Sequence, residues 1–160
     1  MNIIFIMGVS GSGKTTIGQL LAKEKDMPFF DADDFHPIAN VEKMKAGNPL
    51  NDEDRAPWLD RLNELAKVEI QKKGAVITCS ALKASYRKRL EKGLVSLPKW
   101  IFLNGKFETI LNRINQREGH YMPASLLQSQ FDALEIPKDA FTVDIEQHPK
   151  EIISQIIAEL

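Results

Sequence analysis

Short apolar runs alternate with longer stretches of helical periodicity along the chain. Five runs have the length and composition of buried strands, at residues 3–7, 28–30, 75–79, 100–103 and 141–143. Strands that alternate with helical patterns are typical of a parallel sheet covered by helices. The pattern therefore predicts an α/β fold built on five parallel strands.

Three helical patterns predict where some of the covering helices lie. The first spans about 14–25 and carries Gly18, which permits close packing on the sheet. The second starts in the acidic turn 52–54, because negative charge suits a helix N-terminus, and ends at Gly74. The third starts near Pro149 and closes the core. The positions predicted to face the core are apolar at helical spacing: Ile17, Leu20, Leu21, Trp58, Leu62, Leu65, Ala66, Ile152, Ile153, Ile156, Ile157 and Leu160.

A glycine-rich loop follows the first predicted strand directly. Residues 8–15 read GVSGSGKT and fit the pattern G-x-x-x-x-G-K-[ST]. In such a loop the backbone N–H groups surround an anion, Lys14 reaches the β- and γ-phosphates, and the Thr15 hydroxyl ligates Mg²⁺. A strand directly before the loop and an amphipathic helix directly after it are what a phosphate-binding loop needs, and a chance match to the pattern would seldom have both. The residues predicted to hold nucleotide phosphates are Gly8, Ser10, Gly11, Ser12, Gly13, Lys14, Thr15 and Thr16.

The same loop serves GTPases, motor ATPases and small-molecule kinases, which differ in their acidic residues. The Asn-Lys-x-Asp signature of guanine recognition is absent, and the strand at 75–79 ends in Cys79 without a carboxylate. Carboxylates follow the second strand instead, at Asp31, Asp33 and Asp34. They suit phosphate transfer to an alcohol, because one can order the metal's water shell while another accepts the hydroxyl proton. Strand alternation predicts Asp31 and Asp33 on one side; the alternative is a solvated turn that caps a helix, which fits Asp34 best.

Two polar stretches, at about 31–58 and 117–137, are irregular for their length. They follow the second and fourth strands, and ligands of open α/β sheets lie beyond the carboxyl ends of the strands. We predict that the first is an insertion that grips the substrate and the second a lid. Arg113 and Arg117 lie four residues apart just before the lid and are candidates for stabilising ATP phosphates. The alternative is favourable placement of positive charge at a helix C-terminus.

Composition narrows the class of protein. A chain of 160 residues predicts one domain, and 21 basic against 22 acidic residues give a net charge of −1. No global field therefore favours nucleic acid or an anionic membrane. The single Cys79 cannot form an internal disulfide, and no apolar stretch has the length of a membrane helix. These features, with no leader-like N-terminus, predict a cytoplasmic enzyme.

An ordered set of short motifs covers nearly the whole chain. Beyond the glycine-rich loop it comprises DADDFHP (31–37), Asn40, KM (43–44), GNPLNDEDRAPWL (47–59), CSALK (79–83), YR (86–87), REGHYM (117–122), SQF (129–131), LE (134–135) and Pro137. In these motifs the sequence resembles gluconokinases, a family related to shikimate and nucleoside-monophosphate kinases. It departs from the family at Ala32 and Asp34, where glycine and an apolar residue are usual, and this affects the assignment of roles among the three aspartates.

The resemblance implies a single P-loop kinase domain over 1–160, with three layers and strand order 2-3-1-4-5. It implies phosphorylation of D-gluconate at the 6-hydroxyl by ATP, with Mg²⁺ held by Thr15 and Asp31, and a homodimer is possible. Lys14, Asp33 and Arg117 would be catalytic. The residues that it places at the sugar-acid site are Asp33, His36, Arg55, Lys83, Arg87, His120 and Gln130. The chemistry agrees, because a carboxylate needs Arg or Lys donors and a row of hydroxyls needs mixed partners.

Structural alternatives exist for several of these side chains. Arg55 could form a helix-surface ion pair with Asp52 or Asp54. Lys83 and Arg87 could share a solvated helix face, and His36 could be a packed or capping residue. Cys79 has no evident activating neighbour except Lys83, and we predict that it is inert. Two other functions remain open: a kinase for another small hydroxylated acid, and a nucleotide-dependent regulatory module without turnover.

Overall fold

The sheet of the computed structural model, which describes residues 2–117, 119 and 123–160, has five parallel strands in the order β2-β3-β1-β4-β5. Their bounds are β1 (Ile3–Met7), β2 (Phe29–Asp31), β3 (Ala75–Thr78), β4 (Lys99–Asn104) and β5 (Phe141–Asp144). The central strand β1 pairs with β3 through Ile3 opposite Ala75, and with β4 through Ile4 opposite Lys99. The predicted class and strand order are confirmed.

Seven helices within the described residues cover the sheet or follow its strands. They are α1 (Lys14–Glu24), α2 (Ile38–Lys45), α3 (Asp52–Ile70), α4 (Ala84–Glu91), α5 (Phe107–Asn115), α6 (Ala124–Ala133) and α7 (Pro149–Glu159). A short 3₁₀ turn, Ala32–Phe35, follows β2. None of the described helices combines the length and the apolarity that crossing a membrane would require.

Strand alternation on β1 builds two cores. Ile3, Phe5 and Met7 face the layer that contains α3 and α4, whereas Ile4 and Ile6 face the layer of α1, α5 and α7. Both faces of the sheet are therefore buried, as parallel sheets require. Because the strands are parallel, the segments after their carboxyl ends meet at one edge of the sheet, where the predicted site residues cluster.

Most predicted helix faces are buried, with four differences. Leu20 is 37% exposed and Ile157 is 39% exposed, so these two predictions were wrong; Leu65 and Leu160 are only partly buried. Helical spacing identifies a stripe of apolar residues on a helix, but residues at the margins of that stripe can lie beyond the layer that packs against it and stay exposed to solvent.

Two local features determine how the elements begin and pack. Asn51 accepts the Asp54 N–H while the Asp54 carboxylate accepts the Asn51 N–H, and this capping box starts α3. A Cβ at Gly18 would lie 2.6 Å from the Phe29 ring and the Thr78 methyl group, which confirms the close packing predicted there. Helix α3 ends at Ile70, four residues before Gly74, which lies in the turn that leads into β3.

Candidate active site

The glycine-rich loop joins β1 to α1 and forms an anion cradle. Gly13 has φ +95°, a left-handed conformation that side chains other than glycine rarely adopt, and α1 starts immediately after it. A helix start leaves its first N–H groups without helical acceptors, so those of Lys14, Thr15 and Thr16 are available to an anion. The loop therefore has the local geometry that its sequence predicts.

The Lys14 side chain bonds back to the start of this loop. Its Nζ donates to the carbonyl oxygens of Gly8 and Val9, both at 3.0 Å. An ammonium has three N–H donors, and the two bonds leave one for a phosphate oxygen. Burial lowers the pKa of Lys14, while the negative charges of Asp33 and Asp31 act in the opposite direction.

Thr15 and Asp31 form a pair of oxygen ligands beside the cradle. The Thr15 hydroxyl donates to Asp31 Oδ2 at 3.0 Å, and Asp31 Oδ1 accepts the Asp33 N–H at 3.0 Å. Asp31 therefore caps the 3₁₀ turn, a role that the sequence assigned to Asp34. The described residues include no cluster of three or more metal-ligating side chains. Mg²⁺ is commonly held by one or two protein oxygens together with waters and substrate phosphates, so the pair fits that ion.

The 3₁₀ turn, rather than strand alternation, positions Asp33. This residue is exposed at the edge of the site, yet the protein around its carboxylate removes enough water to raise its pKa. The negative charge of Asp31 raises the pKa further, while Lys14 and His36 oppose the shift. Asp33 is therefore better able to accept a proton than an ordinary aspartate is.

His36 directly follows the 3₁₀ turn and packs against a side chain of α3. Its ring stacks on Trp58 at 4.2 Å between centroids and 14° between planes, and Trp58 Nε1 donates to the Ala32 carbonyl at 2.7 Å. Partial burial lowers the pKa of His36, with Asp33 raising it and Arg55 lowering it. His36 is thus a packed residue, and its charge environment includes both Asp33 and Arg55.

A concavity with a volume of about 520 Å³ carries basic and acidic groups. Its lining residues are Leu50, Asn51, Asp52, Glu53, Arg55 and Lys83. Arg55 Nη1 donates to the Leu50 carbonyl at 2.7 Å, and its guanidinium lies 5.6 Å from the centre of the Tyr86 ring. Lys83 Nζ lies 3.3 Å from Asp52 Oδ1. We call this concavity the basic pocket.

The Arg55 guanidinium does not form the predicted ion pair with a carboxylate of its own helix. Asp54 pairs with Lys43 at 2.6 Å, and Asp52 accepts from Tyr86 and Lys83. Among the residues that the structure describes, no carboxylate lies within ion-pair distance of Arg55. The predicted alternative of a helix-surface ion pair is therefore wrong for this residue, whose guanidinium borders the pocket.

Arg87 has a different environment from the one predicted. It is buried, and its guanidinium donates to the carbonyl oxygens of Ala81 at 2.8 Å, Leu82 at 3.3 Å and Glu135 at 3.0 Å. Lys83 precedes α4 rather than sharing a helix face with Arg87. The structure thus brings Lys83 to the basic pocket, whereas Arg87 holds the loop after β3 against the segment after α6.

A second cavity, of about 220 Å³, borders the glycine-rich loop and the first turn of α1. Its lining residues are Gly11, Ser12, Gly13, Thr16, Ile17, Arg113, Arg117, Ile145, Gln147, Pro149 and Ile152. Arg113 Nη2 donates to the Ile145 carbonyl at 2.8 Å, and Arg117 is exposed. Sequence reasoning missed the loop between β5 and α7, although its position after a strand's carboxyl end was a usable signal.

Three further predictions concern Gln130, His120 and Cys79. Gln130 contacts Ser10 of the glycine-rich loop through both its amide atoms, so the structure does not place it in the basic pocket. His120 lies outside the described residues. Burial raises the pKa of the Cys79 thiol to about 12, so it is protonated at neutral pH, which agrees with an inert cysteine.

A phosphate-binding loop, an aspartate with a raised pKa whose charge acts on Lys14, and a separate concavity lined by Arg55 and Lys83 are typical of a P-loop kinase that acts on small molecules. Residues 10–160 match the shikimate kinase family. A shikimate kinase from Aquifex aeolicus covers 98% of this chain and 94% of its own at a TM-score of 0.62, and its 19% identity shows the fold alone.

Closer relatives are gluconokinases. The thermosensitive gluconokinase of Escherichia coli is 46% identical over 94% of this chain and 82% of its own, and the gluconokinase of Gluconobacter oxydans is 42% identical over 96% and 88%. A crystal structure of a gluconokinase from Sinorhizobium meliloti is 39% identical, with a TM-score of 0.89 and coverage of 98% and 90%. The chain belongs to the gluconokinase family.

Proposed function

We propose that the protein transfers the γ-phosphoryl group of ATP to the 6-hydroxyl of D-gluconate, forming 6-phospho-D-gluconate and ADP. The observation that carries the proposal is the basic pocket, which is lined by Arg55 and Lys83 and is linked to Asp33 through His36, on which the charges of Asp33 and Arg55 both act. Its chemistry suits an acceptor with a carboxylate at one end and hydroxyls along its length.

The transfer needs one proton acceptor. The 6-hydroxyl oxygen forms a bond to the γ-phosphorus, the bond from that phosphorus to the β,γ-bridging oxygen breaks, and ADP leaves. Asp33 accepts the hydroxyl proton, a role supported by its raised pKa. Lys14 donates its remaining N–H to the phosphate oxygens, whose charge shifts during transfer.

Two neighbouring parts of the protein would bind ATP: the glycine-rich loop and the smaller cavity. The N–H groups at the start of α1 bind the phosphates, and Arg113 and Arg117 border the cavity where the rest of the nucleotide would lie. Thr15 and Asp31 would hold Mg²⁺, which neutralises phosphate charge when bound. Arg117 is exposed and lines this cavity together with residues of the glycine-rich loop, which supports a role in binding the phosphates.

Acceptor selectivity tests this proposal. We expect glucose to be phosphorylated at least about a hundredfold less efficiently than gluconate, because a site built for a carboxylate is left with unpaired donors when the substrate lacks one. We also expect Arg55→Ala to reduce kcat/KM for gluconate selectively and so to narrow this ratio. A coupled ADP-release assay with gluconate, glucose and a panel of sugar acids measures both effects.

Arg61→Ala is the matched control, because Arg61 lies on the same helix and donates to the Phe35 carbonyl from an exposed position. Its ratio of gluconate to glucose efficiency should equal that of the unchanged protein. Equal use of both acceptors, or an equal loss on both in Arg55→Ala, would contradict carboxylate recognition by Arg55. A preference for another acid in the panel would change the substrate and keep the reaction class.

The segment 117–137 remains a proposed lid. Its helix α6 packs on α5 through Leu127, which is fully buried, and through an edge contact between Phe131 and Phe107 at 5.6 Å. We expect amide hydrogen exchange in 117–137 to slow when a non-hydrolysable ATP analogue and gluconate bind together, because closure excludes water. The amides of α7 serve as an internal control, and equal protection of 117–137 with and without ligands would refute the lid.

A further inference from the structure

Gln130 holds the glycine-rich loop from outside. The Ser10 N–H donates to Gln130 Oε1 at 2.8 Å, and Gln130 Nε2 donates to Ser10 Oγ at 3.0 Å, although the two residues are 120 positions apart in the chain. Both amide atoms therefore contact one loop residue. This paired geometry fixes the Ser10 peptide in position and in orientation.

The loop needs such a support because its own sequence makes it flexible. Gly8, Gly11 and Gly13 all have positive φ, and glycine loses more conformational entropy on ordering than any other residue. Within the loop, the Ser12 N–H donates to the Val9 carbonyl at 3.2 Å, and Lys14 Nζ donates to the Gly8 and Val9 carbonyl oxygens. An ordered loop binds an anion more tightly than one that must first become ordered.

Gln130 is well placed to supply this order. It lies on α6, next to Phe131, whose ring contacts Phe107, and one turn after the buried Leu127. Just after α6, the Glu135 N–H donates to the Leu82 carbonyl at 2.8 Å. These contacts hold α6 on both sides of Gln130 in the structure without ligands, so the amide reaches Ser10 from a packed helix before any closure of the proposed lid.

We infer that Gln130 is a positioning residue that preorganises the phosphate loop through Ser10, rather than a ligand of the sugar acid. The inference rests on the proposed function only in that the loop binds ATP. It accounts for a side chain whose amide oxygen and amide nitrogen both bond to the loop. It also implies that the packing of α6 contributes to nucleotide affinity.

The test compares binding of Mg²⁺ with β,γ-imido-ATP, measured by calorimetry, in the full chain and its variants. We expect Gln130→Met, which keeps the side-chain length and removes both hydrogen bonds, to raise the Kd of this analogue about tenfold. The steady-state KM for gluconate should stay within about twofold, and the KM for ATP should rise. A residue that only stabilised the fold would not separate the two substrates.

Two further variants sharpen the test. Gln130→Asn keeps a polar amide that is too short for both contacts, so it serves if the methionine variant folds poorly, and its Kd should also rise. Gln128→Met is the control, because Gln128 lies exposed on the same helix and its side chain bonds to Asp132 of that helix at 2.8 Å. Its Kd should stay unchanged.

Each outcome decides the question. An unchanged analogue Kd in both Gln130 variants, or an equal rise in Gln128→Met, would overturn the inference, as would a selective rise in the KM for gluconate. Because the calorimetric experiment contains no acceptor, it remains decisive if gluconate proves to be the wrong substrate. Conversely, an unchanged Kd would leave the proposed reaction intact.

Discussion

Asp33→Asn is expected to lower kcat by about 10²- to 10⁴-fold, the usual contribution of a positioned general base, while ATP binding changes little. Asparagine keeps the size of the side chain and removes its ability to accept a proton. In the unchanged protein, kcat/KM should fall as the pH drops through the pKa of Asp33, which lies above its ordinary value of 3.8. That acid limb should disappear in the variant. Steady-state kinetics across pH would measure both effects.

Two neighbouring carboxylates provide controls for this experiment. Asp31→Asn should instead raise the Mg²⁺ concentration needed for half-maximal rate, because Asp31 bonds the Thr15 hydroxyl. Asp34→Asn, at an exposed position in the same turn, should retain normal turnover. If Asp33→Asn and Asp31→Asn share one residual rate and differ from the unchanged protein only in Mg²⁺ requirement, the proposed division of roles is wrong.

The thermal stability of Asp33→Asn distinguishes a loss of catalysis from a loss of folding. The pKa of Asp33 is raised on folding, so the folded state binds the proton more tightly than the unfolded state does. The free energy of unfolding therefore falls as pH rises from the ordinary carboxyl pKa through the raised one, and it stays lower at neutral pH. Asp33→Asn removes this penalty. Its Tm at pH 7 should equal or exceed that of the unchanged protein, although its activity is lost.

Lys14→Ala should reduce kcat by at least about a hundredfold, by analogy with removal of one preorganised donor at developing charge. The ammonium is the group that the structure places inside the cradle with one donor left for phosphate. Its Tm should change by no more than about 4 °C, because relief of the burial that lowers the Lys14 pKa offsets the loss of two hydrogen bonds. Turnover with saturating ATP and gluconate, together with thermal melts, would measure the two quantities.

Lys23→Ala is the matched control, since Lys23 lies exposed in the last turn of the same helix, at the end opposite to Lys14. It should leave kcat unchanged. A near-normal kcat in Lys14→Ala would rule out charge stabilisation by this residue. A large fall in Tm together with kcat would instead assign Lys14 to holding the loop.

The local sequence was sufficient to predict the sheet and the phosphate-binding loop. Strands buried on both faces are continuous apolar runs, and a phosphate loop requires glycine, lysine and a hydroxyl at fixed spacing, so both leave a pattern within a few residues. Side-chain partners leave no such pattern. The spacing of Lys83 and Arg87 suggested one helix face, yet Lys83 precedes the helix and Arg87 is buried among carbonyl oxygens. The edges of helix faces, such as Leu20, also depend on how far the neighbouring layer extends.

The sequence by itself therefore determined the α/β class, the phosphate loop and the acidic segment after β2, because each depends on backbone conformations and residue types that are close together in the chain. Only the tertiary structure decided that Asp33 reaches the site through a 3₁₀ turn, that Arg55 borders a pocket, and that Gln130 contacts Ser10. The 3₁₀ turn is local but leaves no hydrophobic pattern, whereas the other two features join elements far apart in sequence, 120 positions for Gln130 and Ser10, and depend on which layers of the fold lie against each other.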